Sequence, residues 1–566
     1  MKTRWTIKPK PDEAQVQLLA RSLNLQPLLA ELLVQRGIAT YEQARLFFKP
    51  TLDDLHDPYL MKDMDLAVHR ILKAVEQHEK ILVYGDYDVD GTTAVSLMSS
   101  YLKSFYEWVD TYIPDRYNEG YGVSFQGIDY AEDNGMTLII ALDCGIKSID
   151  KVLYAKEKGI DFIICDHHRP GDVLPDAIAV LDPKRDDCHY PFDELCGCGI
   201  GFKLIQAIAK EKGQTIDDLL PYLDLVATAI AADIVPMNGE NRILTKFGLE
   251  VINSNPRPGI KALIHNLKKE ELNVSDVVFI IAPRINAAGR IRHGNYAVQL
   301  LTEFDLEQAL SFAEEIEKFN QDRKSLDQQI TFEALEQITQ NGEELRCSTV
   351  VYNEHWHKGV IGIVASRLTE TYYRPTLVFT KSGNKLAASA RSVKDFDIYN
   401  ALEQCEEVLE QFGGHKYAAG LTLSEDQFLA FKQKFEEVVA ASITEELLTP
   451  EILIDCEVNL TDFNDKFFRI LKQFEPFGPE NMAPVFITKH LKDSGYGKPI
   501  GKQDEHLRLF VRQANSEGFA AVGFGLGHCW PLLENQKAFT GVYSVEENHW
   551  NGQVTMQIRL RDIKTE

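Results

Sequence analysis

Apolar residues in the first half of this chain come in short, unbroken runs that stop at acids. "KILVYGD", "TLIIALDCG", "DFIICDHH" and "AIAVLDP" each set aliphatic side chains in a row just before an Asp. Between them lie stretches such as "IDKVLYAKEKG", where apolar positions return at the helical period. Runs that are apolar on both faces and joined by helices predict a parallel sheet covered on each side, over roughly Leu66 to Ile264. Ahead of it, "EAQVQLLARSLNL" and "PLLAELLVQRG" predict an N-terminal helical lead-in.

Further along, Asp305 to Ile338 is charged, helix-favouring and free of Pro and Gly, which predicts a long connecting helix or a pair of helices. "STVVYNEHW", "PTLVFTKSG", "KLAASARSV" and "AAGLTLS" then predict a second α/β unit. Past Pro450, short strands such as "HLRLFVRQ" and "VTMQIRLRDI" are punctuated by Gly, Asn and Asp and predict a small β-barrel. The fold class is therefore α/β multidomain. Its expected units are a lead-in (1–60), a parallel-sheet domain (61–300), a connecting helix (301–339), a second α/β domain (340–447) and a β-barrel (448–566).

Composition changes this picture little: 44% hydrophobic and 26% charged residues suit a soluble globular protein, and 566 residues need several cores. The start lacks a continuous apolar h-region, and no run approaches the ~20 apolar residues of a membrane span, so the expected location is cytoplasmic. The nine cysteines are scattered, several in apolar runs, and read as reduced core thiols. Cys188, His189, Cys196 and Cys198 lack the paired halves of a structural zinc site. Charge changes it more. A formal net charge of −25 repels polyanions, so nucleic-acid binding would need a local cationic channel.

The candidate chemistry starts at "ILVYGDYDVDGTTA", where Asp86, Asp88 and Asp90 alternate. If the backbone stays extended they share one face, and their repulsion raises their pKa values unless a cation neutralises them. A solvated acidic loop would account for this stretch alone. But "IIALDCG" ends the same way at Asp143, and "IICDHH" at Asp166, His167 and His168. The carboxyl ends of parallel strands line one crevice, so these groups should converge. "YLDLVATAIAADIVPM" adds Asp233, or else Asp224, in an apolar segment where an unpaired carboxylate is costly. An EF-hand is excluded because Leu97 stands where its bidentate Glu belongs. Carboxylates and imidazoles without thiolate favour Mn²⁺ or Mg²⁺, and the surplus of ligands suggests two divalent cations.

"DYDVDG", "LDCG", "DHH" and "AAD", in this order, resemble the motifs of the DHH phosphoesterase superfamily. "APRINAAGR", "HWHKGVIGIVASRL", "SARS", "FGGHKYAAGL" and "EPFGPENMAPVF" resemble the RecJ family of single-stranded-DNA-specific exonucleases, and the likeness covers nearly the whole chain. It implies a DHH domain, a DHH-associated substrate-binding domain and an OB-fold. Asp90, Asp143, His167 and Asp233 would hold one ion, with Asp88 and the bridging Asp143 on the other. Asp86 and His168 would stand behind them or handle protons. Tyr84 occupies the place where related pyrophosphatases carry a His, which leaves the second ion fewer ligands. Arg116, Ser389 and Arg391 would grip a terminal 5′-phosphate; Arg284, Arg290, His355 and His357 would contact the phosphates that follow. "GGHKYAAG" would bring phosphate or sugar close to the backbone at His415.

The implied activity is two-metal hydrolysis of single-stranded DNA from its 5′ end, releasing nucleoside 5′-monophosphates, in recombination and repair. A helicase and a single-strand-binding protein are the candidate partners of an expected monomer with no membrane contact. The rivals are a phosphodiesterase of oligoribonucleotides or cyclic dinucleotides, and a non-catalytic DNA-binding scaffold. In the barrel, Phe510, Phe524 and Trp550 read equally as core or as base-stacking residues.

Overall fold

A computed structural model describes residues 3–514, 516–550 and 553–565. After a short strand, β1 (Arg4–Ile7), and a set of helices, the first sheet is formed by β2 (Lys80–Gly85), β3 (Val109–Tyr112), β4 (Met136–Leu142), β5 (Asp161–Cys165) and β6 (Ala179–Leu181). All pairs are parallel, in the order β3-β2-β4-β5-β6. The period of two is visible in the packing. Ile81, Val83, Leu138, Ile140 and Ile163 enter the core on one face, while Leu82, Tyr84, Ile139, Ala141 and Ile164 enter the core on the other. Only the edge strand β3, "VDTY", lacks an apolar run, so its sequence carries no strand signal.

Asp305 caps a single 35-residue helix, Leu306–Gln340, by accepting the Gln308 N–H at 2.9 Å. It spans roughly 50 Å at 1.5 Å per residue. Buried Asp327 on this helix takes a bidentate pair from Arg367, 2.8 and 2.7 Å, on the helix Ile361–Tyr372 of the next domain. That domain's sheet contains β7 (Thr349–Tyr352), β8 (Thr376–Ser382), β9 (Lys385–Arg391), β10 (Gln411–His415) and β11 (Ala418–Leu423), ordered β10-β11-β9-β8-β7. Its only parallel pair among the described residues is β7 with β8.

The C-terminal strands are β12 (Glu451–Ile454), β13 (Cys456–Glu457), β14 (Phe486–Asp493), β15 (Lys498–Ile500), β16 (His506–Gln513), β17 (Phe519–Gly523), β18 (Phe539–Trp550) and β19 (Gln553–Thr565). The sheet β13-β14-β18-β19-β17-β16-β15 gains a further pairing of β14 with β16, which closes it as a barrel. The lead-in differs from expectation. β1 pairs in parallel with β12, and Val16, Leu19, Leu29, Leu33 and Phe47 share a core with Phe467, Phe486 and Tyr543. Short amphipathic helices cannot bury an apolar stripe alone, and these complete the barrel's core instead. No helix among the described residues is long and apolar enough to cross a membrane.

Candidate metal centre and phosphate pocket

The acids gather at the carboxyl ends of β2, β4 and β5, as parallel topology requires. His167 Nε2 lies 3.2 Å from Asp143 Oδ1, 3.6 Å from Asp233 Oδ2 and 3.9 Å from Asp90 Oδ2. Two overlapping groups, Asp90-His167-Asp233 and Asp143-His167-His168, place their ligand atoms within 4.8 Å of one another. Asp90 is oriented by the start of the helix Gly197–Glu211, accepting the N–H of Gly197 at 2.6 Å and of Cys198 at 2.8 Å. Gly197 must be glycine, because a Cβ there would lie 2.5 Å from that of Asp143. Asp143 itself has a φ of 59°, which turns the chain sharply past the strand.

The extended backbone expected through Asp90 is corrected. The helix Val89–Lys103 starts within the motif, and Asp88 caps it by accepting the Gly91 N–H at 3.1 Å. Asp86 stays behind in the turn, fully buried, with Oδ2 lacking a partner. Asp224 is at the opposite end of the helix Leu223–Asp233, roughly 14 Å away by helical rise, paired with Arg257 at 2.9 Å. Tyr84 is buried and donates its hydroxyl to Gly122 O at 3.0 Å. Cys188, His189, Cys196 and Cys198 form no ligand group among the described residues; Cys196 Sγ caps a helix by accepting the Gly199 N–H.

Burial first, and then neighbouring carboxylates, drives Asp86 and Asp143 well above the usual range and Asp233 up to about 8. Burial also raises Asp90 and takes His167 down to about 4, so its imidazole is neutral and offers a lone pair. Acids pushed up by burial and by one another, a neutral imidazole and an orphaned Asp86 oxygen make a donor set that needs hard cations to balance it. Asp166 behaves differently. Burial alone would raise it, but His168 and the Ile146 amide hold it near 2. Its Oδ1 takes the N–H of His167 at 2.8 Å and His168 Nδ1 at 2.7 Å. Burial opposes the charge on His168, yet the bond to Asp166 outweighs it and lifts the ring to about 8. Sequence reading gave Asp166 no role; its place on the same strand end was the only signal.

A second cluster is cationic and spans two domains. Arg116 lies 3.9 Å above the Tyr87 ring and donates to Gly289 O at 3.2 Å. Arg290 donates to Gly359 O at 3.0 Å, and its own carbonyl accepts the Tyr117 hydroxyl. Arg391 donates to Ser389 Oγ at 3.1 Å. A Cβ on Gly362, at the start of the helix Ile361–Tyr372, would meet both side chains, 3.0 Å from Ser389 Oγ and 3.2 Å from Arg391. Burial, followed by the charges of Arg116, Arg391 and Arg323, pulls Arg290 down to about 10. Arg290 thus stands between Arg116 and Arg391, and Arg323 of the connecting helix adds to the positive field while bonded to Asn320 at 2.7 Å and facing Asp327 at 4.0 Å. His357 borders them with its ring edge-on to Tyr117 at 6.1 Å.

Other expected contacts lie elsewhere. Arg284 is committed to Glu317 of the long helix at 2.7 Å. His355 is exposed and pairs with Glu354 at 3.5 Å. His415 sits on the exposed edge strand β10, paired with β11 in a hairpin; a Cβ at Gly414 would strike Ala418 O at 2.4 Å.

The barrel also carries a basic face. On β16, His506, Arg508, Phe510 and Arg512 alternate with buried Leu507, Leu509 and Val511. Across the sheet Arg508 is flanked by Lys498 and, beyond Val522, by Arg559, and Arg512 by Lys492. Phe524, 55% exposed, lies under Arg559 at 5.4 Å and beside His506. The side chain of Trp550 lies outside the described residues.

Parallel strands that deliver acids and imidazoles to one crevice, beside a mixed-sheet domain that supplies arginines, define the DHH class. Models of the DHH family N-terminal domain, the DHHA1 domain and the RecJ OB domain match residues 80–230, 346–441 and 454–562. The chain belongs to the RecJ family of single-stranded-DNA-specific exonucleases. It is 37% identical to RecJ of Bacillus subtilis (strain 168) over 99% of this chain and 71% of that one. It is 34% identical to RecJ of Escherichia coli (strain K12) over 97% of this chain and 99% of that one. The crystal structure of RecJ from Thermus thermophilus in complex with Mn²⁺ superposes with a TM-score of 0.85 at 26% identity, covering 100% of this chain and 80% of that one.

Proposed function

We propose that the chain hydrolyses single-stranded DNA from the 5′ end with two divalent cations, Mn²⁺ or Mg²⁺, releasing nucleoside 5′-monophosphates. The observation that carries this is the adjacency of the two clusters: Arg116 of the cationic pocket lies 3.9 Å over the ring of Tyr87, the residue between Asp86 and Asp88. Bound ions would activate water and neutralise charge on the scissile phosphate. The chain's own residues do the rest. Asp90, Asp143, His167 and Asp233 would hold one ion, with Asp88 and Asp143 holding the other. His168, kept charged by Asp166, carries the proton that the departing 3′-oxygen needs. Arg116, Ser389 and Arg391 fix the terminal phosphate, which sets the distance from chain end to cleaved bond.

The barrel's basic face, with Phe524 and Phe510 offered to bases, suits a long strand better than a dinucleotide. A pocket that takes one unpaired end also implies supply by a helicase and a single-strand-binding protein, in the cytoplasm, for recombination and repair. The test is Mn²⁺-dependent digestion of strands labelled at either end. The 5′ label should leave at once as a mononucleotide. Early release of the 3′ label, or equal rates on blunt duplex and on a dinucleotide, would overturn the assignment.

A further inference from the structure

Asp233 is the one acid of the metal centre that follows no strand. It ends the helix Leu223–Asp233, and Ile234 after it turns the chain at a φ of 61°. The loop that follows is gripped from outside its own domain. Met237 N–H donates to Pro479 O at 2.8 Å, and Asn238 Nδ2 donates to Glu480. Gly478 packs so closely that a Cβ there would lie 3.0 Å from the Met237 side chain. On its inner side, Asn241 Nδ2 donates to Pro236 O at 3.0 Å and to Glu194 O at 2.6 Å, just ahead of the amides that hold Asp90.

The gripping segment, Gln473 to Met482, belongs to the C-terminal module, and Arg242 fixes it there. From the helix Gly239–Ser254 its guanidinium donates to the carbonyls of Gln473 at 3.2 Å, Phe474 at 2.9 Å, Glu475 at 2.8 Å and Pro476 at 3.2 Å. It also donates to Phe47 O at 3.1 and 3.2 Å and stacks on the Phe47 ring at 3.9 Å. Asn481 Nδ2 bonds two of the same carbonyls, Phe474 O at 2.8 Å and Pro476 O at 2.9 Å. Burying a guanidinium against carbonyls alone is a costly way to join two surfaces, and apolar residues would do it at lower cost. What a planar fork adds is a fixed orientation.

We propose that Arg242 is a positioning residue for the metal centre: through Gln473–Met482 it clamps the loop after Asp233, making the C-terminal module part of what holds that carboxylate on its ion. The proposal rests on the assignment of Asp233 as a ligand. The test titrates Mn²⁺ into the full chain and reads free ion by electron paramagnetic resonance, with Asp233→Asn as reference. Arg242→Lys keeps the charge and loses the fork; Glu480→Ala removes an exposed contact of the same clamp and does not threaten the fold. One of two ions should bind roughly tenfold more weakly in Arg242→Lys, the range for residues that orient ligands, and more weakly by a smaller factor in Glu480→Ala. Parent-like Mn²⁺ binding in both, with an ion lost in Asp233→Asn, would overturn the coupling alone. Parent-like binding in Asp233→Asn as well would overturn the metal assignment beneath it.

Discussion

The metal centre and the arginine pocket handle negative charge in opposite ways. The centre is built mostly from acids at the strand ends of one sheet, several held by bonds to nearby amides: Asp90 by two amides, Asp88 by its own helix cap, the His167-His168 turn by Asp166. The pocket brings Arg116 and Arg290 from one domain to Ser389 and Arg391 from another, held by single bonds to carbonyls and a hydroxyl. Both are sets of like charges that ordinary salt bridges leave uncompensated. The acids wait for cations and the guanidinium groups for phosphate. All of the first set but Asp233 is ordered by the fold of one domain; the second depends on how two domains meet, and so on the Asp327–Arg367 pair that ties the long helix to its neighbour.

This contrast breaks most sharply at Asp143. Asp143→Asn should lower kcat by at least roughly 10³-fold, more than loss of a single oxyanion donor, while strand affinity measured by fluorescence anisotropy stays near the parent's. Asp166→Asn should cost roughly 10–100-fold, as for other residues that orient metal ligands, and should also change the pH profile. His168 must be protonated to give up its proton, so activity should fall as pH rises through about 8 in the parent. Without Asp166 the burial that opposes the charge is left unbalanced, and the fall should begin at lower pH. An unmoved alkaline limb would remove His168 from proton transfer.

In the pocket the expected effect is smaller and concerns choice of end. Arg391→Gln should reduce the preference for 5′-phosphorylated over 5′-hydroxyl ends by roughly tenfold, the scale of one charged hydrogen bond, with Mn²⁺ binding unchanged. If that variant weakens Mn²⁺ instead, the two clusters are not separable. The smallest effects belong to the barrel: Phe524→Ala should weaken long-strand binding by about 1 kcal/mol, and Arg508→Ala should reduce the salt slope by about one. Neither should alter cleavage of a dinucleotide.

Much of the metal centre was legible because each acid follows an aliphatic run, and a parallel sheet puts such endings side by side. Asp233 was legible as an acid misplaced in an apolar helix, though Asp224 fitted the same description until Arg257 was seen beside it. The pocket was legible only in part. Arg284 and Arg290 share one motif, yet helical geometry turns one to Glu317 and the other to the pocket. Arg323 carried no mark, and the glycine pair before His415 did not announce an exposed edge strand.

By itself the sequence determined the sheets, the long helix and the acids at the strand ends, because hydrophobic period and strand-end chemistry are local properties of the chain. Only the tertiary structure decided which arginines converge, that residues from the N-terminal helices complete the barrel's core, and that a loop of the C-terminal module grips the segment behind Asp233. Those depend on contacts between residues hundreds of positions apart, and no local pattern encodes them.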